Sequence, residues 1–120
     1  PNIAAVSTIY GNLGQVALST TSETSLISNA ASSGTIIKVE SIVVANTTAS
    51  TASITISSHS AAALGGTAYQ IASTIPVPAN ASIIITDKST SFYLTENTSL
   101  GAAAGTSNAL VVTTAWEVMS

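Results

Sequence analysis

The residues that could do chemistry are few and lie far apart in the sequence. Nucleophilic catalysis needs a hydroxyl or thiol beside a base, and the chain has many Ser and Thr residues but no Cys and one His. A triad of a Ser with His59 and Asp87, the sole Asp, is formally possible. His59 ends an alternating run beside Ser57 and Ser58, so we interpret it as a solvated imidazole at a strand end.

Paired carboxylates for glycoside chemistry would have to come from a small set of acidic residues. These are Glu23, Glu40, Asp87, Glu96 and Glu117. Glu96 falls in a predicted turn and Asp87 adjoins Lys88 in another, where a carboxylate forms the turn and adds solubility. The sequence lacks an acidic calcium loop and a phosphate-binding Gly-rich loop. We expect a protein that is not an enzyme and that uses no cofactor and no metal.

Composition argues against nucleic acid and membrane surfaces as partners. Charged residues make up 6 % of the chain, against about 25 % in an average soluble domain. The two basic residues are Lys38 and Lys88 and the net charge is −3, so a basic footprint for phosphates is absent. A weakly charged surface gives up the self-repulsion that keeps free proteins apart. This favours a protein that works in an assembly, as a homo-oligomer.

The mean hydropathy of +0.52 is high, yet no apolar run approaches the roughly 18 residues of a spanning helix. One Trp, one Phe and three Tyr are too few for the aromatic girdles of a membrane barrel. The first residues, PNIA, lack a basic region and an apolar signal core. We expect a chain that is made in the cytoplasm and has lost its initiator Met.

β-branched residues recur in short runs between Gly, Asn, Pro and Ser clusters, which is typical of an all-β chain. At 120 residues, one domain is expected. The predicted strands are residues 4–10, 15–19, 24–28, 35–45, 52–58, 68–75, 82–86, 91–94, 100–104 and 109–118. Residues 1–10 would be an N-terminal arm or edge strand, and residues 11–120 the folded domain.

Turn chemistry separates these strands. Residues 12–14 (NLG), 32–34 (SSG), 64–66 (LGG) and 96–97 (EN) favour turns. The run 76–78 (PVP) lacks two backbone donors, so it marks a corner or an edge. The run 83–85 (III) is apolar on both faces, which predicts burial on both sides or contact with another subunit.

Trp116 is the chain's one tryptophan. In a strand over residues 109–118 it shares a face with Leu110, Val112 and Val118. This favours a place in the core over a stacking platform for a sugar, which usually needs several polar partners and other aromatic rings.

Lys38 and Glu40 place two of the few charges inside an apolar strand. Residues two apart share a face of a strand, so the face would comprise Ile36, Lys38, Glu40, Ile42 and Val44. One interpretation is an outward face with an ion pair worth under about 1 kcal/mol. The other, held with equal weight, is that this face meets another subunit and that the charges fix its register.

Several short motifs follow one another in an order that resembles small virion proteins of tailed bacteriophages, including phages of cyanobacteria and other marine bacteria. The motifs are residues 42–46 (IVVAN), 65–72 (GGTAYQIA), 75–82 (IPVPANAS), 87–88 (DK), 92–96 (FYLTE) and 99–100 (SL). The similarity covers about residues 30–118. The last strand departs from the family pattern, because it reads AWEV where a Tyr followed by two acidic residues is usual.

The resemblance implies an antiparallel β-sandwich, with a jelly roll as one form it could take, on the exterior of a virion or in its tail. The expected function is a non-enzymatic capsid decoration, or cement, protein. It would bind the major capsid protein or other virion proteins and stabilise the shell. The alternative is a receptor-binding or glycan-binding module of the tail, neck or fibre. The resemblance supplies no catalytic residues.

Overall fold

The computed structural model describes residues 2–120 and has nine β-strands in that range. Their bounds are β1 Ile9–Ala17, β2 Thr24–Asn29, β3 Ile36–Asn46, β4 Ala52–Ala61, β5 Gly65–Val77, β6 Ser82–Thr86, β7 Phe92–Leu94, β8 Thr98–Ala104 and β9 Leu110–Met119. Two short 3₁₀ turns lie at Ile3–Ala5 and Lys88–Thr90. Within residues 2–120, neither helical turn has the length to cross a membrane.

The strands form two antiparallel sheets. Sheet A has the order β1-β9-β3-β6, with β7 also paired to β3, and sheet B has the order β2-β8-β4-β5. The strand pairs are nested, so that each pair encloses the next one in the sequence. From the outermost to the innermost they are β1 with β9, β2 with β8, β3 with β6 and β7, and β4 with β5. This is the topology of a jelly roll. The predicted antiparallel β-sandwich is confirmed.

The core lies between the sheets and is built from alternate residues of the central strands. Val39 of β3 and Val112 of β9 face Ile54 of β4 and Leu100 of β8, and none of these side chains is exposed. β-branched and Leu side chains fill a pleated surface well, which explains why the most β-branched runs became the central strands. The edge strands β1 and β5 are largely exposed.

The N-terminal residues differ from the prediction. A strand over residues 4–10 is wrong, because Ile3–Ala5 is a 3₁₀ turn capped by the Asn2 side chain. The strand begins at Ile9 and runs as an edge strand along β9, so the proposed arm boundary after residue 10 falls inside β1. Before that strand, the amides of Ser7 and Thr8 donate to the Ser120 carbonyl at 2.9 Å. Pro1 lies outside the described residues.

Candidate functional site

The predicted assembly face is partly formed and partly wrong. The register of β3 on β9 shifts between Val39 and Ser41, so Glu40 is the extra residue of a β-bulge. After the bulge, the even-numbered residues of β3 face the core, whereas before it the odd-numbered residues do. Ile42 and Val44 therefore lie in the core with no exposed surface, and the prediction that they share a face with Lys38 is wrong. Ile36 does share a strand face with Lys38, but its side chain is buried.

What remains on the outer face of sheet A is a charged patch of Lys38, Glu40 and Glu117. The Lys38 Nζ lies 3.5 Å from Glu40 Oε1, and both side chains are half-buried. Lys38 is directly opposite Glu117 on β9, and Lys88 is close enough to act on both carboxyl groups. One of the two lysines and two of the five acidic residues of the chain thus gather on this face.

The two carboxyl groups of the charged patch share a hydrogen bond. The bond to Glu40, then burial and the nearby Glu40 charge, raise the pKa of Glu117. The bond to Glu117 lowers the pKa of Glu40, and Lys38 lowers it further against the opposing effect of burial. The arrangement is that of a carboxylic acid donating to a carboxylate, because two like charges this close disfavour double ionisation.

His59 is not solvated, and the interpretation of a strand-end imidazole in water is wrong. The residue is 6 % exposed; its Nε2 lies 2.8 Å from Glu23 Oε2 and its Nδ1 lies 3.2 Å from the Gly65 carbonyl oxygen. Both partners are acceptors, so an imidazolium, which donates from both nitrogens, satisfies both. We call His59, Glu23 and Gly65 the His59 network.

The formal Ser, His59 and Asp87 triad is not formed. Both ring nitrogens of His59 are used by the His59 network. Asp87 instead caps the second 3₁₀ turn, accepting from the Ser89 amide at 3.0 Å and the Ser89 hydroxyl at 2.6 Å. These bonds lower the pKa of Asp87. Within residues 2–120, no group of three His, Asp or Glu residues could hold a metal ion.

Glycine makes room for the His59 network. A Cβ built on Gly101 of β8 would lie 2.6 Å from Glu23 Oε2 and 2.8 Å from a Leu64 methyl carbon. Any larger residue would therefore push the carboxylate away from His59. The network links the segment before β2, strand β4 and the start of β5, so its direct effect is to hold these parts together.

Trp116 lies where the sequence predicted, against the core. Its ring covers Gly14, whose added Cβ would come within 2.8 Å of the ring. Residues 12–14 are not the predicted turn, because they lie inside β1 and pair with β9. Trp116 therefore shares the inner face as the sequence predicted, but it is only partly buried at the margin of the core.

A cleft of about 420 Å³ opens between the edges of the two sheets. Tyr69 and Ile71 of β5 line it from sheet B, and Phe92, Tyr93 and Leu94 of β7 line it from sheet A. We call it the β5–β7 cleft. The rings of Tyr69 and Phe92 belong to the cleft, whereas Tyr93 is paired with Lys38, so its side chain lies on the outer face of sheet A.

Sequence reasoning missed this cleft. The alternation of Tyr69 with Ile71, and of Phe92 with Leu94, showed that each pair shares a strand face. Nothing in either run indicates that the two faces meet, because β5 and β7 belong to different sheets.

Apolar side chains are exposed along the sheet edges. On β1 these are Ile9, Tyr10 and Leu13, the last 68 % exposed. On β6, Ile84 is exposed, while Ile83 and Ile85 pack partly against the core. Burial of the 83–85 run on both faces is therefore wrong, and contact with another subunit stays a prediction.

No protein-family model and no curated protein matches the chain. Among solved structures, the chain is similar to one described as "Bacillus endospore appendages form a novel family of disulfide-linked pili". The TM-score is 0.51 at 16 % sequence identity, and the match covers 93 % of this chain and 87 % of that one. At this identity the similarity concerns the fold alone, and it agrees with the β-sandwich described above.

Proposed function

We propose that the chain is a non-enzymatic structural protein of a bacteriophage particle, and that it is a decoration protein bound to the major capsid protein lattice. The observation that carries the proposal is the β1 edge, where Ile9, Tyr10 and Leu13 are exposed on a strand with one free side. An exposed apolar edge favours association with another chain. In a free, weakly charged protein such an edge promotes aggregation, so we infer that it is covered in the working assembly.

The charged patch supplies the second element of this proposal. Lys38, Glu40 and Glu117 lie on the outer face of sheet A, the sheet that also contains β1. Opposite charges on a contact surface contribute specificity and register more than affinity. We infer that the patch orients the subunit, as a homo-oligomer on the particle exterior, while apolar edges supply the contact area. Repeated weak contacts over a lattice add up through avidity.

The absence of enzymatic activity is part of the proposal. The chain's one imidazole is buried and has both nitrogens engaged, and Asp87 is used as a cap. Neither group is placed to activate a hydroxyl for attack. These contacts support a structural role for both residues.

Quantitative mass spectrometry of purified virions tests the proposal. We expect hundreds of copies per particle, as binding to a capsid lattice requires. A copy number of a dozen or fewer would instead assign the protein to the tail or neck. In a structure of the assembled particle, full solvation of both Lys38 and Glu40 would remove the orienting role of the charged patch.

The second candidate is a receptor-binding or glycan-binding module of the tail, neck or fibre. The β5–β7 cleft favours it, because Tyr69 is exposed there beside hydroxyl groups. Such a module would occur at low copy number, and the purified chain would block adsorption of the phage to its host.

The pilus neighbour adds a further outcome to test. Its description names disulfide-linked pili, whereas this sequence has no Cys, so a polymer of this chain would not be joined by disulfides. Electron microscopy of the concentrated protein distinguishes the cases. Closed rings or monomers agree with the decoration proposal, and long filaments would contradict it.

A further inference from the structure

The β5–β7 cleft joins apolar surface to hydroxyl groups. Tyr69 is 61 % exposed, although it lies beside the hydrophobic interior. Tyr93 is paired with Lys38, so its side chain lies on the outer face of sheet A and not in the cleft. Phe92 and Leu94 extend into the cleft from the inner face of sheet A, where they pair with Val39 and Ile37. Aromatic rings with one solvated face can stack on a ligand without a prior rearrangement of the core.

The hydroxyl groups of the cleft offer both a donor and an acceptor. Ser60 Oγ accepts a bond from the Thr67 amide at 2.8 Å, which leaves its proton available for a ligand. Thr98 Oγ1 donates to the Thr95 carbonyl at 2.6 Å, which leaves its lone pairs available. Ser58 adds a third hydroxyl. A ligand with hydroxyl groups of its own could bond to each of these.

Strand pairing holds the sheet B wall of the cleft in place. Ser58 pairs with the core residue Leu100 and faces the cleft, while the next residue, His59, pairs with Ser99 and its ring lies on the other face of sheet B, held by Glu23 and Gly65. Ser58 and His59 belong to central strand β4, which pairs with both β5 and β8. A site built on paired strands is more precise than one on loops, so less ordering is needed when a ligand binds.

The chemistry of the lining selects the class of ligand. No Lys, Asp or Glu among residues 2–120 lines the cleft, so an anionic or cationic group would find no counter-charge. Its volume of about 420 Å³ falls within the roughly 300–1,000 Å³ of small-molecule sites. An exposed cleft with hydroxyl groups suits an amphipathic ligand better than a wholly apolar one.

We infer that the β5–β7 cleft binds a neutral carbohydrate, with the C–H face of a sugar ring on Tyr69, next to Phe92, and its hydroxyl groups on Ser60 and Thr98. This deepens the second candidate function by naming the site and the class of ligand. As a binding activity of the isolated chain, it is independent of the copy number that tests the decoration role, so either proposal can fail alone.

The test is binding of the purified full chain to an array of neutral and acidic glycans, followed by calorimetry with the best neutral ligand. Tyr69→Ala should weaken binding about tenfold, since a lost ring contact is worth up to about 1.5 kcal/mol. Tyr10→Ala is the matched control, because Tyr10 is equally exposed, at 64 %, but lies on β1. It should bind as the unmodified chain does.

Three results would overturn the inference. The first is no binding to any neutral glycan at millimolar concentration by folded protein, as judged by circular dichroism. The second is a preference for acidic glycans that is lost in Lys38→Ala, because Lys38 lies beside Tyr93 on the outer face of sheet A and the ligand would then bind outside the cleft. The third is self-association that both Tyr69→Ala and Ile3→Ser abolish, which would identify the N-terminal segment of a second copy, where Ile3 is exposed, as the occupant.

Discussion

The His59 network and the charged patch are two ways of placing ionisable groups in one β-sandwich. The His59 ring is buried, and each of its nitrogens has a single fixed acceptor. The charged patch is only half-buried, on the outer face of sheet A, and its two carboxyl groups compete for one proton. A buried polar group is costly to leave without its partner, whereas an open group can exchange its partner for water or another chain. The first arrangement therefore stabilises the fold, and the second can respond to its surroundings.

Removing the imidazole should have the largest effect on stability. His59→Ala leaves the Gly65 carbonyl and the Glu23 carboxylate without their donor and opens a space in a buried region. We expect a loss of about 3 kcal/mol in the free energy of unfolding, measured by urea denaturation.

Glu23→Gln is the matched control for this variant. The amide oxygen can still accept from Nε2, and the Glu23 side chain is partly exposed, so the loss should be smaller. Equal and negligible losses for both variants would show that the His59 network does not stabilise the fold.

A methyl group at Gly101 should have the next largest effect. In Gly101→Ala the new Cβ would meet the Glu23 carboxylate at 2.6 Å and Leu64 at 2.8 Å, so the carboxylate must move from His59. We expect a loss of about 1–2 kcal/mol by thermal or urea unfolding. Gly11→Ala is the control, because nothing lies within 4 Å of its added Cβ. Identical behaviour of the two variants would contradict the close contact.

The charged patch should have the smallest effect and one that depends on pH. The raised pKa of Glu117 gives stability that is present below the ordinary value of 4.5 and is lost as pH rises through the raised pKa. The lowered pKa of Glu40 gives stability that is present above 4.5 and is lost as pH falls through the lowered pKa. The pair therefore stabilises the fold most between its two pKa values, on either side of 4.5.

In Glu117→Gln the side-chain amide can still donate to the Glu40 carboxylate, but the side chain at this position no longer titrates. We expect that stability no longer falls at the higher pH, where Glu117 would have lost its proton, while the loss at the lower pH, where Glu40 gains one, remains. The side-chain carboxyl signals in NMR should then show one shifted pKa in this patch, that of Glu40. If the signals of Glu40 and Glu117 titrate together near 4.5 in the unmodified chain, the shared proton is excluded.

Particular strands show why some of the fold could be read from the sequence. Residues 82–86 were predicted as a strand with the observed bounds, and the predicted strand over 24–28 differs from β2 by one residue. Both are short β-branched runs between turn residues, so local chemistry determines them. The expected edge position of residues 76–78 also holds, because β5 ends at Val77 and pairs only with β4.

Residues 12–14 show the opposite case. Asn12 and Gly14 favour a turn locally, but pairing along the whole of β9 extends the chain into one strand. Gly14 serves packing instead, since the Trp116 ring lies against it. Tertiary contacts overrode local preference here, because backbone pairing and burial of a large ring outweigh the conformational preference of three residues.

The sequence by itself determined the class of fold, the central strands and the lack of a basic surface, because alternation, β-branching and charge are local properties. Tertiary structure decided the rest. The bulge at Glu40 sent Ile42 and Val44 into the core, since one extra residue reverses which face the following side chains share. The partners of His59 and the shared cleft of Tyr69 and Phe92 depend on segments far apart in the chain. Such contacts exist only after both sheets have formed and packed.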